Sequence, residues 1–228
     1  MHKIIDYLKE NKDKQYAEFS KKIIPDTKYE IIGVRTPKLK QLAKEVVKDS
    51  QLFLSFINDK HTYHEEFILH GLLLGEYKES ISKTLIFLTK FIPHIDNWAV
   101  CDSTVSALKI FKTNKKCVFN FTEKIINSKH PYSVRFAVVT LLWYFLDDEY
   151  FDNSIRLINK VIFSDNYYVN MSIAWFFSIA LIKNYDKTIF YLENKTLPKF
   201  IHNKTIQKCI DSFRVTNQIK KHLSALKI

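Results

Sequence analysis

A chain of 228 residues that is 46% apolar and 26% charged can bury a sizeable core, which excludes intrinsic disorder. With 3 glycines and 5 prolines it has too few turn-formers for an all-β sandwich, a dinucleotide-binding sheet or a P-loop enzyme, so helices joined by short links remain. The net charge of +11 sits at the ends, with +4 over residues 1–50, zero over 51–194 and +7 over 195–228: clustered cations that suit a polyanion, or solvent-facing lysine in a lysine-rich composition.

Residues 1–13 are charged every few positions, so no leader segment is expected there. Ile4, Ile5 and Leu8 mark a first amphipathic helix. Leu39, Leu42, Ala43, Val46 and Val47 mark another, with Thr36 as N-cap and Pro37 at its first helical position. Helical periodicity then predicts segments near 51–58, 63–76, 80–92, 97–112, 116–127, 132–146, 149–162, 167–184, 187–194, 203–213 and 217–226, and no strand. The most apolar run, Phe176 to Ile182, is ended by Lys183, so no membrane span is expected. The longer helices start near His64, Asn97, Ser133, Tyr168 and Asn203, spaced 33 to 36 residues apart, and each is followed by a shorter one. That period points to an all-α solenoid of stacked helical pairs forming a single domain over 1–228; an irregular helical domain with coincidental spacing is the alternative.

Cys101, Cys117 and Cys209 lack CxxC spacing and read as reduced core or near-core thiols. His61, His64, Glu65, Glu66 and His70 cluster in sequence, but His64 and His70 lie roughly 600° apart around a helix, so neither a metal site nor a cofactor is expected. Asp147, Asp148 and Glu149 read as a helix-start cluster. No nucleophile motif or phosphate cradle is present in the sequence. One group does not fit a bland scaffold. Trp98 and Asp102, four apart, share a helix face, and Trp175 lies in a long helix two repeats later. Between them sits Arg135, one of 4 arginines against 31 lysines, where a planar forked donor has been chosen over the default cation. Core tryptophans and a carboxylate serving the helix dipole are the structural alternative.

The ordered set Gly33-Val34-Arg35-Thr36-Pro37 with Leu39 and Leu42-Ala43-Lys44, Asp96-Asn97-Trp98 with Asp102-Ser103, Val134-Arg135 with Ala137, Tyr167 to Trp175, and Gln207-Lys208 with Ser212 resembles the AlkD-like DNA alkylation repair family of HEAT-like-repeat DNA glycosylases. The resemblance runs from about residue 30 to residue 215. It implies a right-handed superhelix of HEAT-like pairs with a basic concave cleft for duplex DNA. It implies excision of cationic N3- and N7-alkylated purines without base flipping. By position it assigns catalysis to Asp102, Trp98 and Trp175 and a backbone phosphate to Arg135. Ser178 departs from the pattern, because active relatives carry a basic residue there, and the segment before Gly33 is shorter. A non-enzymatic scaffold for damaged or branched DNA is the other reading of the same family, and a protein-binding helical repeat a third. Lys199, Lys204, Lys208, Arg214, Lys220 and Lys221 are the expected end cations against DNA. The expected protein is a cytoplasmic, nucleoid-associated monomer whose partner is duplex DNA, alkylated or damaged, and which needs no metal.

Overall fold

The computed structural model describes residues 2–228. All of its regular elements are helical, and the sole extended pairing among the described residues is an isolated parallel bridge between Glu30 and Tyr63. The chain divides into two compact units, residues 1–114 and 115–228.

The first unit contains α1 (His2–Glu10), α2 (Lys14–Ile23), α3 (Thr36–Val46), α4 (Ser50–Ile57), α5 (His64–Glu76), α6 (Ile81–Phe91) and α7 (Trp98–Ala107). Short 3-10 segments, Ile92–His94 and Lys109–Thr113, follow α6 and α7. Helices α3, α5 and α7 pack side by side. From His64 to Gly75 every residue of α5 is buried, which explains why Phe67 to Gly75 carries no lysine, arginine or carboxylate on any face. Its glycines set how closely α7 can approach: a Cβ on Gly71 would lie 1.9 Å from Thr104 Oγ1, and one on Gly75 2.5 Å from Ala107 Cβ. Three elements differ from those expected. Helix α2, where periodicity predicts none, starts where Asp13 accepts the Tyr16 N–H at 3.0 Å. The segment expected as one helix over 97–112 breaks at Leu108, with φ −74° and ψ 61°. Thr36, expected as the N-cap of α3, instead opens its first turn with Pro37, and Arg35 caps the helix by backbone alone.

The second unit contains α8 (Lys115–Ile125), α9 (Pro131–Tyr144), α10 (Phe151–Asn159), α11 (Tyr167–Lys183), α12 (Tyr185–Glu193), α13 (Lys199–Asp211) and α14 (Asn217–Ala225). Here α9, α11 and α13 form the packed row, with α8, α12 and α14 each against one of them. The pairing expected from the 33–36 residue period is therefore present in each unit. Side-chain caps recur along it: Asn97 before α7, His130 before α9 and Asn166 before α11 each accept a first-turn backbone N–H, each worth about 1 kcal/mol. Helix α13 starts four residues before the expected Asn203, behind Pro198. Asp147 and Asp148 precede α10 and are spent on ion pairs with Lys115 and Lys187, although Asp147 also accepts the Tyr150 N–H at 3.3 Å. Cys101 and Cys209 are buried, but Cys117 is exposed on α8, outside the core where the sequence reading put it.

Candidate functional site

In the first unit the site is built on the start of α7. Asn97 Oδ1 accepts the Val100 N–H at 3.1 Å and fixes the first turn. Asp96 collects three donors, the Thr27 hydroxyl at 3.0 Å, the Lys28 N–H at 2.7 Å and the Asn97 side-chain amide at 2.7 Å. These bonds hold the segment after α2 against α7. Trp98 Nε1–H then donates to the Ile23 carbonyl at 3.0 Å, which sets the angle of its indole ring. Trp98, Ala99, Asp102, Ser103 and Ser106 form one half-buried stripe along α7. The stripe opens on a cleft of about 290 Å³ lined by Tyr16, Ile23, Val34, Glu65, Trp98 and Asp102, among others. Trp98 and Asp102 therefore share this cleft, as their spacing predicts.

The opposite wall is the loop before α3, and sequence reasoning did not see what holds it. Glu65, 2% exposed, accepts the backbone N–H groups of Ile32 at 3.2 Å, Gly33 at 2.6 Å and Val34 at 3.3 Å. Burial pushes its carboxyl up from the usual range, and the three N–H groups pull it back. Gly33 makes this wrap possible. Its φ is +89°, and a Cβ there would sit 2.1 Å from the Asp13 carbonyl oxygen and 2.7 Å from the Ala17 nitrogen. At the mouth, Arg35 forks onto Asp13 through Nε at 2.9 Å and an Nη at 2.8 Å, with its guanidinium 5.1 Å from the Tyr16 ring. The Tyr16 N–H and Arg35 hold the Asp13 carboxyl below the ordinary carboxylate range. Beneath the cleft, burial pushes the His64 imidazole down to about 4, so it is neutral at pH 7.

The ring that meets His70 is His61, not His64. His61 Nε2 and His70 Nδ1 are 2.8 Å apart, with Phe56 stacked on His61 and Phe91 stacked on His70. Among the described residues no group of three or more histidine, cysteine or carboxylate side chains is placed to hold a metal ion.

In the second unit Arg135 is only 6% exposed, and its guanidinium donates to the Tyr168 carbonyl at 2.7 Å, tying α9 to the start of α11. Trp175 is half-buried and shares a stripe of α11 with Tyr168 and Met171 at i, i+3 and i+7. Ser178 is 3% exposed and its hydroxyl donates to the Trp175 carbonyl at 2.8 Å. It is part of the α11–α13 seam, where the Ser178 carbonyl faces Cys209 Sγ at 3.8 Å. Of the end cations, Lys199, Arg214 and Lys221 are exposed, and Lys204, Lys208 and Lys220 are partly so. Trp98 and Asp102 are thus brought together in one unit, and Arg135 is joined to the helix of Trp175 in the other.

Stacked helical pairs, with an indole and a carboxylate in one cleft and a cationic terminal segment, define a helical-repeat protein. A family model described as DNA alkylation repair enzyme matches residues 4–210, and the chain belongs to that family. No curated protein matches the chain. Among the described residues no helix is long and apolar enough to cross a membrane.

Proposed function

We propose that this chain is a DNA glycosylase that excises cationic N3- and N7-alkylated purines from duplex DNA, as a monomer in the nucleoid, without flipping the base and without a metal. On this reading the helical pairs continue as a right-handed superhelix whose basic concave face holds the duplex. The observation that carries it is the shared cleft of Trp98 and Asp102, with the indole fixed by the Ile23 carbonyl.

The chemistry follows from the substrate. Alkylation at N3 or N7 places a full positive charge on the purine, so the base leaves readily once the sugar can bear positive charge. The bond from C1′ to N9 breaks, its electron pair goes to the purine and neutralises it, and a water oxygen bonds to C1′. Asp102 stabilises the developing oxocarbenium electrostatically, orients the water and takes its proton. The faces of Trp98 and Trp175 carry negative quadrupoles that favour the cationic sugar or base by about 0.5–2 kcal/mol each. Arg135, together with Lys199, Lys204, Lys208, Arg214, Lys220 and Lys221, supplies charge for the backbone.

A second reading has its own support. Arg135 is occupied by the Tyr168 carbonyl, and Ser178 puts a buried hydroxyl where active relatives put a base. Both favour a non-enzymatic scaffold that binds damaged or branched DNA on the same surface. Incubation with duplexes carrying N7-methylguanine or N3-methyladenine decides between them. Time-dependent release of free base supports the glycosylase; binding with no release above the protein-free control supports the scaffold.

A further inference from the structure

At the N-terminal edge of α9, α11 and α13 five rings form a continuous ribbon. His130 and Tyr132 lie 6.2 Å apart, Tyr132 and Tyr168 5.7 Å, Tyr168 and Tyr167 5.3 Å, and Tyr167 and Phe200 5.8 Å, all between ring centroids. Lys204 Nζ stands 6.0 Å from the Phe200 ring centre. The two rungs at the Phe200 end face solvent, Tyr167 being 54% exposed and Phe200 38%, and the other three are half-buried. Rings that served only the core would be sealed, as the phenylalanines of α11 are. The exposed cations Lys129 and Lys199 flank the ribbon, and Asp165 is the exposed acid in the loop before α11. Three helix N-termini meet along this edge and add positive potential.

We infer that this ribbon is a stacking platform for unpaired bases of a DNA strand. The inference rests on the reading that the chain binds DNA, and adds to the cations Lys199 and Lys204, which that reading sets against the backbone, a row of rings that it does not use. The chemistry selects the occupant. A duplex offers phosphates outside and hides its base faces, so phosphate contacts alone call for lysines and not for a row of rings. Base faces become available where a strand is unpaired, and each stacks on an aromatic ring whatever its identity. The lysines match the phosphates between those bases. Tyr167 and Phe200 are the principal rungs because they are the most open, and Lys204 holds the adjoining phosphate.

The test compares three labelled probes by fluorescence anisotropy: a single strand of about 12 nucleotides, an abasic strand of equal length, and a duplex. Each is titrated with wild type and with the Tyr167→Ala, Phe200→Ala double variant. Both side chains are exposed, so the variant's melting curve should overlay that of wild type, and Tyr167→Trp should keep full affinity. The expected result is tighter binding of the base-bearing than of the abasic strand, and a loss of about 10-fold or more for the base-bearing strand in the double variant. Duplex and abasic binding should be unchanged by it. Equal affinity of wild type for the two single strands, or an unaltered double variant, would overturn the platform. Ring-dependent binding of an acidic peptide, with none of the strand, would overturn it in favour of a protein partner. Ring-dependent strand binding in a protein that neither excises purines nor binds duplex would leave the platform standing and remove the glycosylase reading. Excision with indifferent single-strand binding would do the reverse.

Discussion

Replacing Glu65 by Leu should do more damage than its place among helix residues suggests. The carboxylate is 2% exposed and is the acceptor for three consecutive backbone N–H groups of the loop 32–34. Leucine has a similar volume but accepts nothing. Two buried donors and one half-buried donor would be stranded at about 1–3 kcal/mol each, so the expected cost is about 3–9 kcal/mol, a large share of a typical domain's stability. Glu65→Gln separates the hydrogen bonds from the charge. Its carbonyl can occupy the Oε1 position and keep Gly33 and Val34, while its amide opposes Ile32, so about 1–3 kcal/mol is expected. Urea denaturation reads both, with Trp98 fluorescence as the reporter in a background where Trp143 and Trp175 are phenylalanine. A Glu65→Leu midpoint within error of the parent, or a Glu65→Gln cost equal to that of Glu65→Leu, would refute the reasoning.

Three further outcomes are expected. Trp98→Phe should leave the Ile23 carbonyl without its indole donor, cost about 1 kcal/mol and raise hydrogen exchange across α2; unchanged exchange there would count against the Trp98–Ile23 bond as the clamp on α2. Acidification should weaken the first unit: His61 and His64 sit at about 4 in the fold against 6.5 when unfolded, so stability is complete above 6.5 and is lost as pH falls toward 4. Near pH 5.5 that amounts to about 1 kcal/mol per histidine, and a pH 7.5-to-5.5 difference that does not shrink in His64→Asn would contradict it. Duplex binding should weaken with salt, log K falling against log salt with a slope of roughly −5 if about six phosphates are contacted; an affinity indifferent to salt would exclude a phosphate-led interface.

The helices were legible where burial writes itself into the sequence. Helix α5 is buried from His64 to Gly75 and α11 over most of its length, so both segments are apolar enough to recognise. Helix α2 was not, because Phe19 and Ile23 are exposed while Ala17 and Ser20 are the buried pair, which inverts the usual pattern. The break at Leu108 was hidden because Leu108 and Phe111 are both fully buried and continue the apolar rhythm across it. Within the site, Trp98 and Asp102 could be paired because their relation is local to one helix. Glu65 could not be found, since its partners lie 31 to 33 residues earlier and are backbone groups that carry no sequence signal. Arg135 was conspicuous as a rare arginine, but its bond to the Tyr168 carbonyl, 33 residues on, has no signature either.

Release of N7-methylguanine from duplex DNA, at saturating protein, by wild type and by Asp102→Asn tests the central claim most directly. The substitution keeps size and hydrogen-bonding capacity and removes one negative charge, which is needed only as positive charge develops on the sugar. The account predicts measurable release by wild type and a loss of about 10²–10³ in rate for Asp102→Asn, with duplex affinity equal or slightly tighter. Equal release rates for the two proteins would contradict the catalytic role of Asp102, and no release by wild type would contradict the glycosylase itself.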